Sequence, residues 1–210
     1  MHKELYNKGL CVLMETNVRG KSAIDLAVEL IKAGVSWIQL RDKECERGRF
    51  FKVARILSTI TKANGVKLII NDHADIALMV DADGVHLGQS DLPLVHAKKL
   101  MGNKIVGIST HSMEQAVEAE KNGADYIGFG PVFHTKTKNA GTPQGVSAIG
   151  MVKKAVQIPV IAIGGIAPEH VEHVFSQGAD AAAVSAGIMK KKDVYEAACK
   201  YMEIINGCKR

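Results

Sequence analysis

The sequence predicts a single α/β domain, a (β/α)8 TIM barrel spanning residues 1–210. Three observations carry this expectation. Eight apolar, strand-like runs, centred near Val12, Ile38, Ile69, His86, Gly107, Gly128, Ala162 and Ala183, alternate with segments of helical spacing. Glycines stand where those helices hand over to the next strand. Nearly every run ends in polar groups, which a ring of loops around one barrel mouth brings together. A doubly wound open sheet is the competing fold. No G-x-G-x-x-G follows the first run, and an open sheet would string the polar groups along a crevice.

Taken in order, the first run centres on Val12 and ends in Glu15-Thr16-Asn17. Ile24, Ala27, Val28 and Ile31 then share one helical face, and Gly34 stands at its C-terminal cap. The second run, Trp37-Ile38-Gln39-Leu40, ends in Gln39, Arg41 and Lys43, whose alternate spacing puts them on one side of an extended chain. Phe50, Val53, Leu57 and Ile60 form the next helical face, closed by Gly65. The third run ends in Asn71-Asp72, the fourth is followed by Asp91, and the fifth ends in Ser109. Asn122-Gly123-Ala124-Asp125 and Gln177-Gly178-Ala179-Asp180 resemble Ala33-Gly34-Val35, a weak internal repeat at the helix-to-strand junction. The seventh run ends in Ile163-Gly164-Gly165-Ile166 and the eighth in Val184-Ser185-Ala186-Gly187. Val194, Ala197, Ala198, Tyr201 and Ile205 place a last helix after the eighth run.

Composition narrows the class. A chain of 210 residues that is 47% hydrophobic, with 20 Gly, suits one globular domain with a sizeable core. The charge excess is mild, 27 Lys+Arg against 22 Asp+Glu, and fits a Lys-rich surface plus an anionic substrate. Aromatics at 5% and the lack of a basic helix argue against nucleic acid. Cys11, Cys45, Cys199 and Cys208 form no C-x-x-C pair, which argues against a zinc ribbon or redox motif and suits a reducing compartment. The polar first residues lack a signal-peptide core, and no apolar stretch is long enough to span a membrane. The expectation is a cytoplasmic protein with neither membrane nor nucleic-acid partners; its oligomeric state is not legible.

The polar strand ends carry the chemistry. Asp72 and Asp91 suit Mg²⁺, which takes one or two carboxylates together with waters and phosphate oxygens. Arg41 and Lys43 beside them suit phosphate. Each acid also precedes a helix-like segment and is a candidate N-cap, but capping does not explain two of them facing Lys43. His86, inside a strand, reads as a satisfied core residue. His111 is a weaker acid–base candidate, and His170 and His173 read as exposed. The polar loop 131–145 holds Thr135, Lys136, Thr137 and Lys138 with Gly130, Gly141 and Gly145 around them, a composition suited to closing over a phosphate. The glycines after the seventh and eighth runs let a phosphate approach backbone N–H groups. Together these features point to an enzyme acting on a diphosphate.

Several stretches resemble the thiamine-phosphate synthase family, also called thiamine-phosphate pyrophosphorylase. They are Gln39-Leu40-Arg41-Asp42-Lys43, Ile70-Asn71-Asp72, Gly84-Val85-His86-Leu87-Gly88-Gln89-Ser90-Asp91, Gly107-Ile108-Ser109-Thr110-His111-Ser112, Gly130-Pro131-Val132-Phe133, Thr135-Lys136-Thr137-Lys138, Ala162-Ile163-Gly164-Gly165-Ile166 and Val184-Ser185. The resemblance implies a transferase that joins hydroxymethylpyrimidine diphosphate to hydroxyethylthiazole phosphate. By position, Gln39, Arg41, Lys43, Asn71 and Lys138 would hold the pyrimidine diphosphate, within the binding stretches 39–43 and 135–138. Asp72 and Asp91 would bind Mg²⁺, and Ser109 would contact the pyrimidine. Thr135 and Thr137 would face the thiazole, whose phosphate would rest on Gly165, Val184 and Ser185. Arg41, Lys43, Ser109 and Lys138 are the residues expected to act in catalysis. The chain departs from the family at Glu15-Thr16-Asn17, where Thr-Asp is expected, and at Glu44-Cys45-Glu46-Arg47-Gly48. Two other readings stand beside this one: a thiazole tautomerase relative, using His111 and no diphosphate, and a non-catalytic barrel that binds a phosphate ligand.

Overall fold

The computed structural model describes residues 9–135 and 141–208. Eight parallel strands close into a barrel in chain order. They are numbered β1 (Gly9–Met14), β2 (Trp37–Leu40), β3 (Lys67–Asn71), β4 (Gly84–Leu87), β5 (Ile105–Thr110), β6 (Tyr126–Phe129), β7 (Val160–Ile163) and β8 (Ala181–Val184). Closure is direct, with β8 pairing β1 in the register Ala183 to Cys11 and Val184 to Val12. The helices between them are α1 (Ala23–Lys32), α2 (Arg47–Ala63), α3 (Ala74–Met79), α4 (Leu94–Met101), α5 (Met113–Lys121), α6 (Ser147–Ala155) and α7 (Val171–Ser176), with α8 (Ala186–Met189) and α9 (Val194–Cys208) after β8. All eight expected strands are present. A two-residue antiparallel ribbon, Asn17–Val18 with Lys21–Ser22, lies between β1 and α1. Among the described residues no helix is long and apolar enough to cross a membrane.

Two apolar layers follow from the period-two alternation of strands that are buried on both faces. The outer layer packs strand residues such as Val12, Ile38, Leu40, Leu68 and Val85 against the helices. The inner layer fills the barrel lumen with Cys11, Leu13, Trp37, Ile69, Ile105, Tyr126, Ile161, Ala181 and Ala183. Tyr126 and Trp37 meet edge to face at 4.9 Å, and Gly107 makes the room: a Cβ there would lie 2.0 Å from Tyr126 Cζ.

The helix faces correct part of the sequence reading. On α1 the buried residues are Ala23, Leu26, Ala27 and Leu30, whereas Val28 is 37% exposed. The two alanines let the helix approach the barrel closely, and the two leucines bury about 1.5–3 kcal/mol of side chain each. Ile24 and Ile31 flank that face. On α2 Phe50 and Leu57 are buried, but Val53 and Ile60 lie at the edge, and Ala54, Ser58 and Thr61 complete the buried face. On α9 the expected stripe is buried at Val194, Ala198, Tyr201 and Ile205. Gly34, Gly65, Gly123 and Gly178 all take left-handed φ, between 66 and 91°, just past a helix end, which explains why glycine stands there.

The foot of the barrel, at the N-terminal ends of the strands, carries a repeated clasp. Asp83, Asp125 and Asp180 immediately precede β4, β6 and β8. Their carboxylates accept the backbone N–H of Leu68, Val106 and Val160 on the preceding strand at 2.9, 2.7 and 2.7 Å. Their own N–H groups donate back to the carbonyls of the same three residues. Lys67, Lys98 and Lys153 neutralise the three acids, each at 2.7 Å. The repeat Gly-Ala-Asp seen in sequence at 123–125 and 178–180 is therefore a C-cap followed by a clasp.

Candidate active site

The strands end at a mouth where Lys43, Asp72 and Asp91, three of the expected polar residues, come together. Arg41 continues β2, its N–H donating to Met14 O at 2.8 Å. Two residues on, Lys43 Nζ reaches Asp72 Oδ2, at the end of β3, at 3.3 Å. Asp72 takes a left-handed φ of 64°, uncommon for a residue with a Cβ, and its N–H donates to His86 O on β4. That turn aims its carboxyl at the loop after β4. There Asp91 Oδ2 accepts the N–H of Gly88 at 2.7 Å. Neither acid is an N-cap: the residues at those positions are His73 for α3 and Pro93 for α4. The carboxyls of Asp72 and Asp91 are instead within hydrogen-bonding reach of each other.

Their electrostatics follow from that closeness. Burial, and then the hydrogen bond and negative charge of Asp91, push the Asp72 pKa up, with Lys43 offsetting part of the rise. Burial also disfavours charge on Asp91, but the Gly88 N–H, Asp72 and the cation Lys43 outweigh it and hold its pKa down. Two carboxyls that crowd each other beside an amine form an oxygen-rich pair that a hard cation would relieve. Among the described residues no cluster of three or more His, Cys, Asp or Glu could hold a metal. The pair alone suits Mg²⁺, which keeps waters and substrate phosphate oxygens in its remaining positions.

Below the mouth lies a small cavity of about 20 Å³, lined by Gln39, His86, Ser109, Trp37, Tyr126 and Ile163 among others. Its polar wall is a relay. His86 Nδ1 is 2.8 Å from Tyr126 Oη and its Nε2 is 2.9 Å from Ser109 Oγ. Burial, with the nearby Arg41 charge, lowers the His86 pKa to about 4, so the imidazole is neutral at pH 7 and donates on one side while accepting on the other. His86 is thus a satisfied interior histidine, as its sequence position suggested, and it also orients Ser109. Gln89 Nε2 donates to Ser109 O at 2.6 Å and fixes the same strand end from above.

Other predicted residues take different places. Leu40, expected among the substrate-binding residues, is fully buried in the outer layer, so its side chain does not reach the mouth. The Asp42 carboxylate is occupied by the Thr16 hydroxyl at 2.6 Å, the Thr16 N–H at 3.1 Å and the Glu44 N–H at 3.2 Å, a brace between the loops after β1 and β2. Asn71 and Gln39 are buried at their strand ends. His111 Nδ1 lies 2.6 Å from Gly130 O and ties the loops after β5 and β6. Lys136, Thr137 and Lys138 fall outside the described residues. Thr135 is next to His134, whose carbonyl crowds Gly165: a Cβ at Gly165 would lie 2.4 Å from His134 O.

Across the mouth from the acids, Gly164 and Gly165 take φ values of 100 and 66°. The same turn holds a residue that sequence reading placed on the surface. His170 stacks on Phe133 with centroids 4.0 Å apart, and its Nδ1 lies 3.2 Å from Gly165 O. Its partner comes from the loop after a different strand, which explains why helical spacing alone left it exposed. Val184 is buried and Ser185 follows it at the end of β8.

Comparison with known proteins bears on the whole chain. Residues 10–188 match the family model for thiamine monophosphate synthase. The thiamine-phosphate synthase of Shouchella clausii is 46% identical over 177 residues, covering 83% of this chain and 85% of the relative. That of Halalkalibacterium halodurans is 49% identical over 168 residues, covering 79 and 80%. The solved structure of thiamine phosphate pyrophosphorylase from Pyrococcus furiosus superposes with a TM-score of 0.90 at 32% identity, covering 98% of both chains.

Proposed function

Since the chain belongs to the thiamine monophosphate synthase family, a family of transferases, we propose that it joins hydroxymethylpyrimidine diphosphate to hydroxyethylthiazole phosphate with release of pyrophosphate. The observation that carries this reading is the convergence of Lys43, Asp72 and Asp91 beside a lumen pocket edged by Gln39 and Ser109. Anion-binding and cation-binding groups stand together above the polar lumen wall formed by Gln39, His86 and Ser109. Cys11, Cys45 and Cys199 are free thiols, which supports a cytoplasmic setting.

The reaction is dissociative. The bond from the pyrimidine methylene carbon to the diphosphate oxygen breaks, and its electron pair leaves with pyrophosphate. The electron-rich pyrimidine delocalises the resulting cation, and the thiazole nitrogen then forms the new C–N bond. No protein nucleophile is required, so positioning and electrostatic stabilisation supply the rate. Gln39 and the Ser109 hydroxyl, oriented by His86, hold the pyrimidine edge over the apolar lumen floor. Arg41, Lys43 and Asn71, with Lys138 assigned by its motif, hold the diphosphate and stabilise the charge that develops as it leaves. Asp72 and Asp91 would hold Mg²⁺, which when bound supplies counter-charge to the leaving group. Thr135, and Thr137 by its motif alone, are assigned to the thiazole. Gly165, the backbone of Val184, and Ser185 receive its phosphate.

The test is to incubate the purified protein with both substrates and measure pyrophosphate and thiamine phosphate, with Mg²⁺ and after chelation. Both products are expected only with metal and both substrates. A protein that instead isomerises a thiazole phosphate without diphosphate, or releases nothing, would overturn the assignment.

A further inference from the structure

Tyr201 lies on α9, with 1% of its surface exposed. Its hydroxyl donates to Ile166 O, in the turn after β7, at 3.0 Å. Burial, and then the negative charge of Glu169, push its pKa up to about 12, so it remains a donor at any working pH. The same oxygen presses on the segment after β8: a Cβ at Gly187 would lie 2.3 Å from Tyr201 Oη and 3.0 Å from Val184 Cγ1. Gly187 sits inside α8 and is not among the glycines with positive φ, so its backbone does not call for glycine. Contact with the Tyr201 hydroxyl accounts for it.

One hydroxyl therefore bridges two segments far apart in sequence. The first carries Gly164 and Gly165, and the second carries Val184 and Ser185. We propose that Tyr201 is a positioning residue for the phosphate of the thiazole substrate: it sets the spacing between the two loops that receive that phosphate. This rests on the function proposed above. His170 secures the first loop from its other side, through Phe133 and Gly165 O, so the Tyr201 hydroxyl governs its distance from β8 rather than its existence. Without that hydroxyl, Ile166 O loses its donor and the turn is free to drift from Ser185.

The test is the Tyr201→Phe enzyme, which keeps the ring and removes one oxygen, with Gly187→Ala pushing on the same hydroxyl from the opposite side. In both, the KM for hydroxyethylthiazole phosphate should rise roughly five- to tenfold, about the worth of one buried hydrogen bond, while the KM for the pyrimidine diphosphate and kcat stay within about twofold. Thermal melts establish that the variants are folded. An unchanged thiazole KM in both folded variants, or KM values for the two substrates that rise together, would overturn the proposal while leaving the function intact. Wild-type protein that makes no thiamine phosphate would overturn the functional reading, and this proposal with it.

Discussion

Lys43 Nζ stands 3.3 Å from Asp72 Oδ2, joining the ends of two neighbouring strands at the barrel mouth. The lysine side chain is 54% exposed. An ion pair so open to water adds little to stability. Its place beside Asp91 makes sense as part of a ligand site that is assembled before the ligand arrives.

Asp72→Asn and Asp91→Asn should each lower turnover about a hundredfold or more while leaving the melting temperature within a few degrees of wild type. Steady-state kinetics over a Mg²⁺ series checks this, because weakened metal binding shifts the Mg²⁺ dependence to higher concentration. Near-normal activity at low Mg²⁺ in both variants would remove the metal assignment.

The relay through His86 makes stability depend on pH with a definite sign. Its folded pKa of about 4 lies below the ordinary 6.5. The unfolded chain therefore takes up the proton first as pH falls, and the neutral imidazole's contribution, complete above about pH 6.5, is lost progressively down to about pH 4. Wild type should lose about 3 kcal/mol more than His86→Gln between pH 7 and 4. Urea denaturation of both proteins at the two pH values measures the difference; equal losses would mean that His86 titrates normally in the fold.

Gly165→Ala forces a Cβ against His134 O and into a left-handed backbone. It should raise the KM for the thiazole phosphate by about tenfold or more, with a smaller effect on the pyrimidine diphosphate. Ser185→Ala should do the same more mildly. Equal rises for both substrates in initial-rate measurements would mean that the two subsites are not separate.

Asp125→Ala and Asp180→Ala should each cost about 1–3 kcal/mol in urea denaturation, chiefly because the N–H of Val106 or Val160 loses its acceptor at the buried foot. Both KM values should stay at wild type, since the clasps lie at the opposite end of the strands from the mouth. A change in KM without loss of stability would contradict this division.

Most of this arrangement is local and could be read from sequence. A strand end, a cap glycine or a loop glycine needs only its neighbours, so Asn71-Asp72, Ser109 and Gly34 were legible. What needed the third dimension was contact between separate loops. His170 finds Phe133, and Asp42 turns to Thr16 rather than to substrate. The α1 face read from spacing is right at Ala27 but rotated elsewhere: Ala23, Leu26 and Leu30 are the residues that meet the barrel, and Val28 turns outward. Gly107, inside an apolar run, was the visible sign that a large neighbour such as Tyr126 crosses the lumen there, but naming it required the strand register.

The clasps have one gap. Where β4, β6 and β8 are each preceded by an aspartate, β2 is preceded by Ser36. The first quarter of the barrel lacks that fastening at the foot and is fastened at the rim instead, by Thr16 on Asp42. In the other three quarters, loosening a clasp changes how hard the barrel is to open. Here the same kind of bond is made by the residue between Arg41 and Lys43, so loosening it disturbs the stretch of chain that carries both cationic side chains.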